Sequence, residues 1–135
     1  MTSAIRNIPH ELYHGSYKEI REFLPFRYED AAGIYFTDNF DDAVDLARCN
    51  CIEDGDVPTV MVAHVDIKNP FLMYGMESHE ISFSRRDELI ALGHDGVIGI
   101  NPTTGERFEF VAFDPKQVTV TEVRVLAELS EAPAI

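Results

Sequence analysis

Three polar side chains interrupt otherwise apolar, strand-like runs: His14 in Leu12-Tyr13-His14-Gly15-Ser16, Tyr35 in Gly33-Ile34-Tyr35-Phe36-Thr37, and Glu109 in Phe108-Glu109-Phe110-Val111-Ala112-Phe113. Each stands near a turn or a strand end, and Glu109 is the most informative. A carboxylate between two phenylalanines either faces solvent from a half-exposed strand or lines a cleft, because burial without a partner is costly. In a cleft, Phe108 and Phe110 would thin the water around it and strengthen its attraction for positive charge developing in a reaction. Period-two alternation produces outward-facing strand residues routinely, so on pattern alone the solvent-facing reading comes first. By the same standard His14 is an ordinary turn histidine and Tyr35 an ordinary strand aromatic.

A joint role needs elements that bring these positions together. Residues 11–16 read as a short strand ending in a Gly-Ser turn, and the spacing of Tyr17, Ile20, Phe23 and Leu24 predicts a helix that Pro25 ends. Residues 33–37 read as a second strand. Asp38 then serves as the N-cap of a helix whose apolar positions are Phe40, Val44, Leu46 and Ala47, with Asp41 and Asp42 in its first turn. Residues 60–67 form a strand that Asn69-Pro70 stops. Ser84 caps a short helix, with Asp87 three residues on and Gly93 at the stop position. His94-Asp95-Gly96 turns the chain into a buried strand over 97–100, residues 101–105 make a hairpin-like connection into a strand over 107–113, and a last strand covers 117–126. Five or six strands with two or three short helices, and no regular βαβ alternation, predict an α+β domain on antiparallel or mixed sheets.

A chain of 135 residues, 45% of them hydrophobic, is sized for one globular core, and 9 Phe and 5 Tyr are too many for a disordered acidic chain. The expected organisation is an N-terminal extension over 1–10, a single domain over 11–129, and a frayed tail over 130–135. With 24 Asp and Glu against 11 Lys and Arg, the net charge of -13 repels nucleic-acid phosphates and attracts basic proteins. Direct nucleic-acid binding is therefore not expected. The first residues carry no signal-peptide pattern and no run approaches a membrane span, so a cytoplasmic protein without a membrane partner is expected. Cys49-Asn50-Cys51 lacks the spacing of a zinc or redox motif, and His64, His79 and His94 repeat no metal-ligand spacing, so no metal is expected. Neither a G-x-G-x-x-G nor a P-loop motif occurs.

Taken together and in chain order, the three interrupted strands resemble the signature strands of the H-Y-E class of ADP-ribosyltransferases, the diphtheria-toxin-like and poly(ADP-ribose)-polymerase-like enzymes. Ile67-Lys68-Asn69-Pro70-Phe71, Gly93-His94-Asp95-Gly96-Val97-Ile98 and Phe113-Asp114-Pro115-Lys116-Gln117-Val118 resemble the compact bacterial and phage versions of that domain. The resemblance spans residues 11 to 120. It implies an ADP-ribosyltransferase-like fold in which two small, mainly antiparallel sheets form a split cleft for NAD as co-substrate. It further implies that His14 bonds the ribose beside the nicotinamide, that the Gly15 backbone holds the carboxamide with Ser16 beside it, that Tyr35 stacks on the nicotinamide ring, and that Glu109 bonds the same ribose and stabilises its charge.

The implied activity is transfer of a single ADP-ribose from NAD to a protein acceptor, with release of nicotinamide. The acceptor is expected to be basic or part of a nucleic-acid-binding complex. A phage or bacterial effector, a toxin or an inhibitor of a defence complex such as CRISPR is the implied setting. Two alternatives stand beside it: an NAD glycohydrolase, with water as acceptor, and a non-catalytic acidic module that binds a basic partner. Several positions depart from the pattern. Ala43 and Leu46 stand where polymerase-like members offer a small hydroxyl and a second stacking aromatic, and Arg107 stands where the E-x-E class has an acid. Lys18, Arg21 and Arg27 could screen the NAD pyrophosphate or could be solvated surface residues, and the NAD cleft is expected to be the less acidic part of the surface.

Overall fold

The computed structural model describes residues 3–20 and 32–126. In chain order these form α1 (Ser3–Arg6), β1 (Leu12–Ser16), β2 (Ile34–Phe36), α2 (Phe40–Cys49), β3 (Thr59–Val65), β4 (Pro70–Tyr74), a 3-10 turn (Glu77–Glu80), α3 (Phe83–Ala91), β5 (Gly96–Ile100), β6 (Arg107–Ala112), a second 3-10 turn (Pro115–Gln117) and β7 (Val118–Val125). One sheet has the order β1-β3-β7 and is antiparallel throughout; the other has the order β2-β6-β5-β4, with only β4 and β5 parallel. The architecture is α+β, two small and mainly antiparallel sheets with short helices, consistent with an ADP-ribosyltransferase-like fold.

The period-two alternation of each strand divides the apolar residues among three packed layers. Leu12, Ala63 and Val65 of the first sheet face Phe36, Ile98, Ile100 and Phe110 of the second, and this inter-sheet layer is the main core. On the outer side of the second sheet, Val97 and Val111 meet Leu89 of α3 and Ile81. On the outer side of the first, Val60 meets Ala43 and Ala47 of α2, both fully buried. Those alanines lie one turn apart on one helix face, and their small size lets α2 come down close on β1.

Besides this packing, one backbone bridge joins the two sheets among the described residues. Tyr13 of β1 exchanges both backbone hydrogen bonds with Thr37, just beyond β2, at 2.8 and 2.9 Å. Because backbone groups alternate in direction along a strand, Gly15 presents its own amide and carbonyl to the same edge as Tyr13. Past the bridge β1 and β2 diverge, and the cleft opens between them.

Several boundaries differ from the sequence reading. The N-cap of α2 is Asn39, not Asp38: its side chain accepts the Asp42 amide at 3.0 Å. Ser82 rather than Ser84 caps α3, accepting the Arg85 amide at 3.0 Å, which places Ser84 inside the helix; Gly93 follows the helix as expected. Residues 17 and 18 form a bend and 19 and 20 are irregular rather than helical, and the remainder of that expected helix lies outside the described residues, as do Arg21, Arg27 and the tail over 130–135. Seven strands are present among the described residues; β4, which the sequence reading leaves unassigned, begins at Pro70 itself. The three further family-like segments meet in one hydrogen-bonded knot. Asp95 accepts the Lys68 and Asn69 amides at 2.8 Å, and the Gln117 amide group reaches the Asp66 and Asp95 carbonyls at 2.9 Å.

Candidate active site

β1, β2 and β6 deliver His14, Tyr35 and Glu109 to a single cleft of about 530 Å³, which Gly15 also lines. Ser16 lies off this lining: it is buried, and its hydroxyl oxygen takes the Lys18 amide at 3.4 Å. The three polar residues come together because β1 and β2 share the Tyr13–Thr37 bridge while β2 and β6 are paired, with Tyr35 opposite Val111.

His14 sits on the same face of β1 as Leu12, at the mouth of the inter-sheet core, with its ring edge-on to Phe36 at 5.8 Å. Its Nδ1 lies 2.7 Å from the Tyr35 carbonyl oxygen. A carbonyl only accepts, so Nδ1 carries a proton, and in the neutral ring Nε2 is then the acceptor. Burial pushes the imidazole below its ordinary value, against the smaller opposing effect of the bond to Tyr35. Burial outweighs that bond and favours the neutral ring, in which Nε2 is the accepting nitrogen.

Gly15 is fixed by close approach. A Cβ there would stand 2.7 Å from the Ala47 nitrogen and nearer still to the Ala43 carbonyl, so no other residue lets β1 lie on α2 this way. Its carbonyl accepts from the Asn50 side-chain amide at 3.4 Å. Tyr35 packs against the layer under α3, and its hydroxyl oxygen takes the Ile81 amide at 3.4 Å, which holds the ring in one orientation.

Glu109 keeps only 12% of its side-chain exposure, so the outward-facing reading drawn from strand alternation does not apply. The turn Glu77–Glu80 is the reason: it covers the face of the second sheet on which Glu109 and its partner Gly99 lie. Beyond that pair the ladder slips in a bulge, Ile100 pairing with Arg107 and leaving Phe108 as an extra residue. Two side chains hold the carboxylate: Ser78 donates its hydroxyl to Oε2 at 2.6 Å, and the His79 Nδ1 lies 2.8 Å from Oε1 and 3.0 Å from Oε2. Neither Ser78 nor His79 figures in the sequence reading as a site residue. The available signal was Gly99, a glycine in a buried strand that marks a close approach, here of Ser78.

The charge of the cleft differs from expectation. Its described lining contains Asp42, Asp45 and Glu109 and no lysine or arginine, so among the described residues the cleft is not the less acidic part of the surface. Lys18 instead lies with its ammonium over the Tyr17 ring at 5.6 Å. Among the described residues no helix is long and apolar enough to cross a membrane.

The family of ADP-ribosyltransferases in polyvalent proteins matches residues 8–122, most of the chain and all three cleft strands. The chain belongs to this family. No curated protein matches it. Enzymes of the ADP-ribosyltransferase family use NAD as co-substrate. In this ADP-ribosyltransferase domain the departures from the polymerase-like pattern have visible consequences. Ala43 is fully buried beneath Gly15, while Leu46 is half exposed and lines the cleft as an aliphatic wall. Arg107 turns away to the N-terminal segment, donating to the backbone carbonyls of Ile5, at 3.2 Å, and Asn7.

Proposed function

We propose that this ADP-ribosyltransferase moves a single ADP-ribose unit from NAD to a protein acceptor and releases nicotinamide. The observation that carries this reading is the convergence of His14, Tyr35 and Glu109, from three strands, on one cleft. The bond between the ribose C1′ and the nicotinamide nitrogen breaks with its electron pair leaving on nicotinamide, which departs neutral. The ribose then carries oxocarbenium-like charge, and the acceptor's lone pair forms the new bond at C1′ while its proton passes to solvent.

Each residue has a role matched to its surroundings. Glu109, shielded from water, attracts the ribose charge more strongly in the transition state than in the ground state, which is the condition for accelerating the bond-breaking step. The neutral His14 accepts from a ribose hydroxyl through Nε2, and Tyr35 offers its ring face to the nicotinamide. The outward amide and carbonyl of Gly15 suit a carboxamide, which needs one acceptor and one donor.

The acceptor we infer is a basic protein, including one that itself holds nucleic acid. The net charge of -13 supports this, as does a second groove of about 640 Å³ that shares Thr37, Asp42 and Phe108 with the cleft and adds Asp38 and Glu106 against one cation, Arg107, which donates to the Ile5 and Asn7 carbonyls. Such a field draws a basic surface toward the reacting carbon. The setting we infer is that of an effector or toxin acting in a bacterial cytoplasm, for a phage or another bacterium. Incubation of the protein with labelled NAD and a bacterial lysate, beside Glu109→Gln, tests the reading. Label on protein together with nicotinamide release, both lost in the variant, is the expected result. Free ADP-ribose without labelled protein would assign NAD hydrolysis instead. Absence of turnover in both forms, with a basic partner still captured, would leave a binding module.

A further inference from the structure

The 3-10 turn Glu77–Glu80 has no part in the steps above, yet its segment touches two of the three site residues. Ser78 is wholly buried and gives its hydroxyl to Glu109 Oε2 at 2.6 Å. His79 faces the same carboxylate at 2.8 and 3.0 Å, and because a carboxylate only accepts, Nδ1 is the protonated, donating nitrogen. Two residues on, the Ile81 amide holds the Tyr35 hydroxyl. The turn is itself seated from both sides. Phe108, the bulge residue, stands edge-on to the His79 ring at 5.5 Å. Gly99, the cross-strand partner of Glu109, leaves the space Ser78 fills: a Cβ there would lie 3.1 Å from Phe108 Cζ and closer to Ser78 Oγ.

We propose that Ser78 and His79 are positioning residues of the transferase, whose two donors fix the Glu109 carboxylate in the one orientation that serves the reaction. This rests on the reading of Glu109 as the group that stabilises ribose charge. A glutamate alone on a strand end rotates about three side-chain bonds, and a charge that must be aimed at C1′ loses its effect when it turns away. Two donors remove that freedom without using up the group: a carboxylate accepts about four hydrogen bonds, so lone pairs remain for a ribose hydroxyl. His79, 42% exposed, is not needed to close the core, which separates its role from simple packing.

The test compares His79→Leu, which removes the donor but keeps bulk, with His79→Asn, whose side-chain N–H falls near the place of Nδ1, and with Ser78→Ala. Transfer kinetics with NAD, melting temperature and side-chain order of Glu109 by NMR on the NAD-free protein are read together. His79→Leu is expected to lower kcat by about 10- to 100-fold with the KM for NAD little changed, to leave Glu109 rotationally averaged, and to be largely rescued in His79→Asn. Ser78→Ala is expected to act in the same direction. A native kcat in His79→Leu with Glu109 still ordered overturns the proposal, and so does an Asn variant as impaired as the Leu one. Should the native protein turn over no NAD, the functional reading falls, while the NMR comparison still decides positioning: order lost in Leu and kept in Asn supports it, and order unchanged in both overturns it.

Discussion

The two walls of the cleft are held by different kinds of contact. On the β1 side the backbone does the holding: Tyr13 and Thr37 exchange both main-chain bonds, Gly15 lies on α2 with no space for a Cβ, and the His14 ring is fixed by the Tyr35 carbonyl. On the β6 side the ladder gives way to a bulge, and Glu109 is held by the side chains of Ser78 and His79. A wall built from backbone registers a wrong residue as lost stability, since strands and a helix must move apart. A wall built from side-chain donors registers it as lost rate, since the chain stays folded while the carboxylate turns.

The largest expected effect sharpens that contrast on the β6 side. Glu109→Gln keeps the shape of the residue and an oxygen for Ser78, so its urea midpoint is expected to stay near the native one while kcat falls by about 100-fold or more. Loss of rate and stability in proportion would erase the distinction between the walls. Gly15→Ala tests the other wall. The new methyl group meets the backbone of Ala43 and Ala47, and unfolding by urea is expected to show a loss of about 1–3 kcal/mol from overpacking. A variant as stable as the native protein would mean that α2 gives way freely and that β1 is not held by it.

The same contrast governs what could be read in the sequence. His14, Tyr35 and Glu109 stood out because each interrupts an apolar run near a chain reversal, but the pattern alone left them ordinary turn and strand residues. Only the resemblance of the three strands, in order, joined them, and the structure brings them to one cleft. Cap positions were legible only to within a residue or two. Asp38 and Asn39 can each cap a helix, as can Ser82 and Ser84, and the choice is made by which following residues reach the core: Ala43 and Ala47 behind α2, Leu89 behind α3. β4 was hidden because proline usually ends a strand; here Pro70 starts an edge strand, where its missing N–H is tolerated. Ser78 and His79 were out of reach for a further reason. They meet Glu109 across 31 and 30 residues of chain, and no local spacing encodes a contact made only when the second sheet folds.

A smaller effect is expected at the cap of α2, the helix that backs the β1 wall. Asn39→Ala removes the bond to the Asp42 amide and should lower stability by about 1 kcal/mol in urea unfolding. Because α2 supports β1 and not Glu109, kcat per folded molecule should stay native. A fall in kcat without a loss of stability would show that the helix start contributes to the cleft directly.

The smallest effect is a difference in slope, and it separates the walls by pH. Burial holds His14 below its ordinary value of 6.5, so the unfolded chain takes up a proton there more readily than the folded one. Protonation therefore favours unfolding. The stability contributed by the neutral ring is fully present above about pH 6.5 and is lost as the pH falls below that and through the folded-state value. His14→Gln cannot take up this proton, while every other histidine and carboxylate is common to both proteins and cancels in the comparison. Unfolding free energies measured between about pH 8 and pH 5 should fall more steeply for the native chain than for His14→Gln. Parallel curves would mean that solvent reaches the ring as freely as in the unfolded chain. In that case His14 would not be kept neutral by its position on β1, and the acceptor role of Nε2 would have to be supplied by the substrate complex itself.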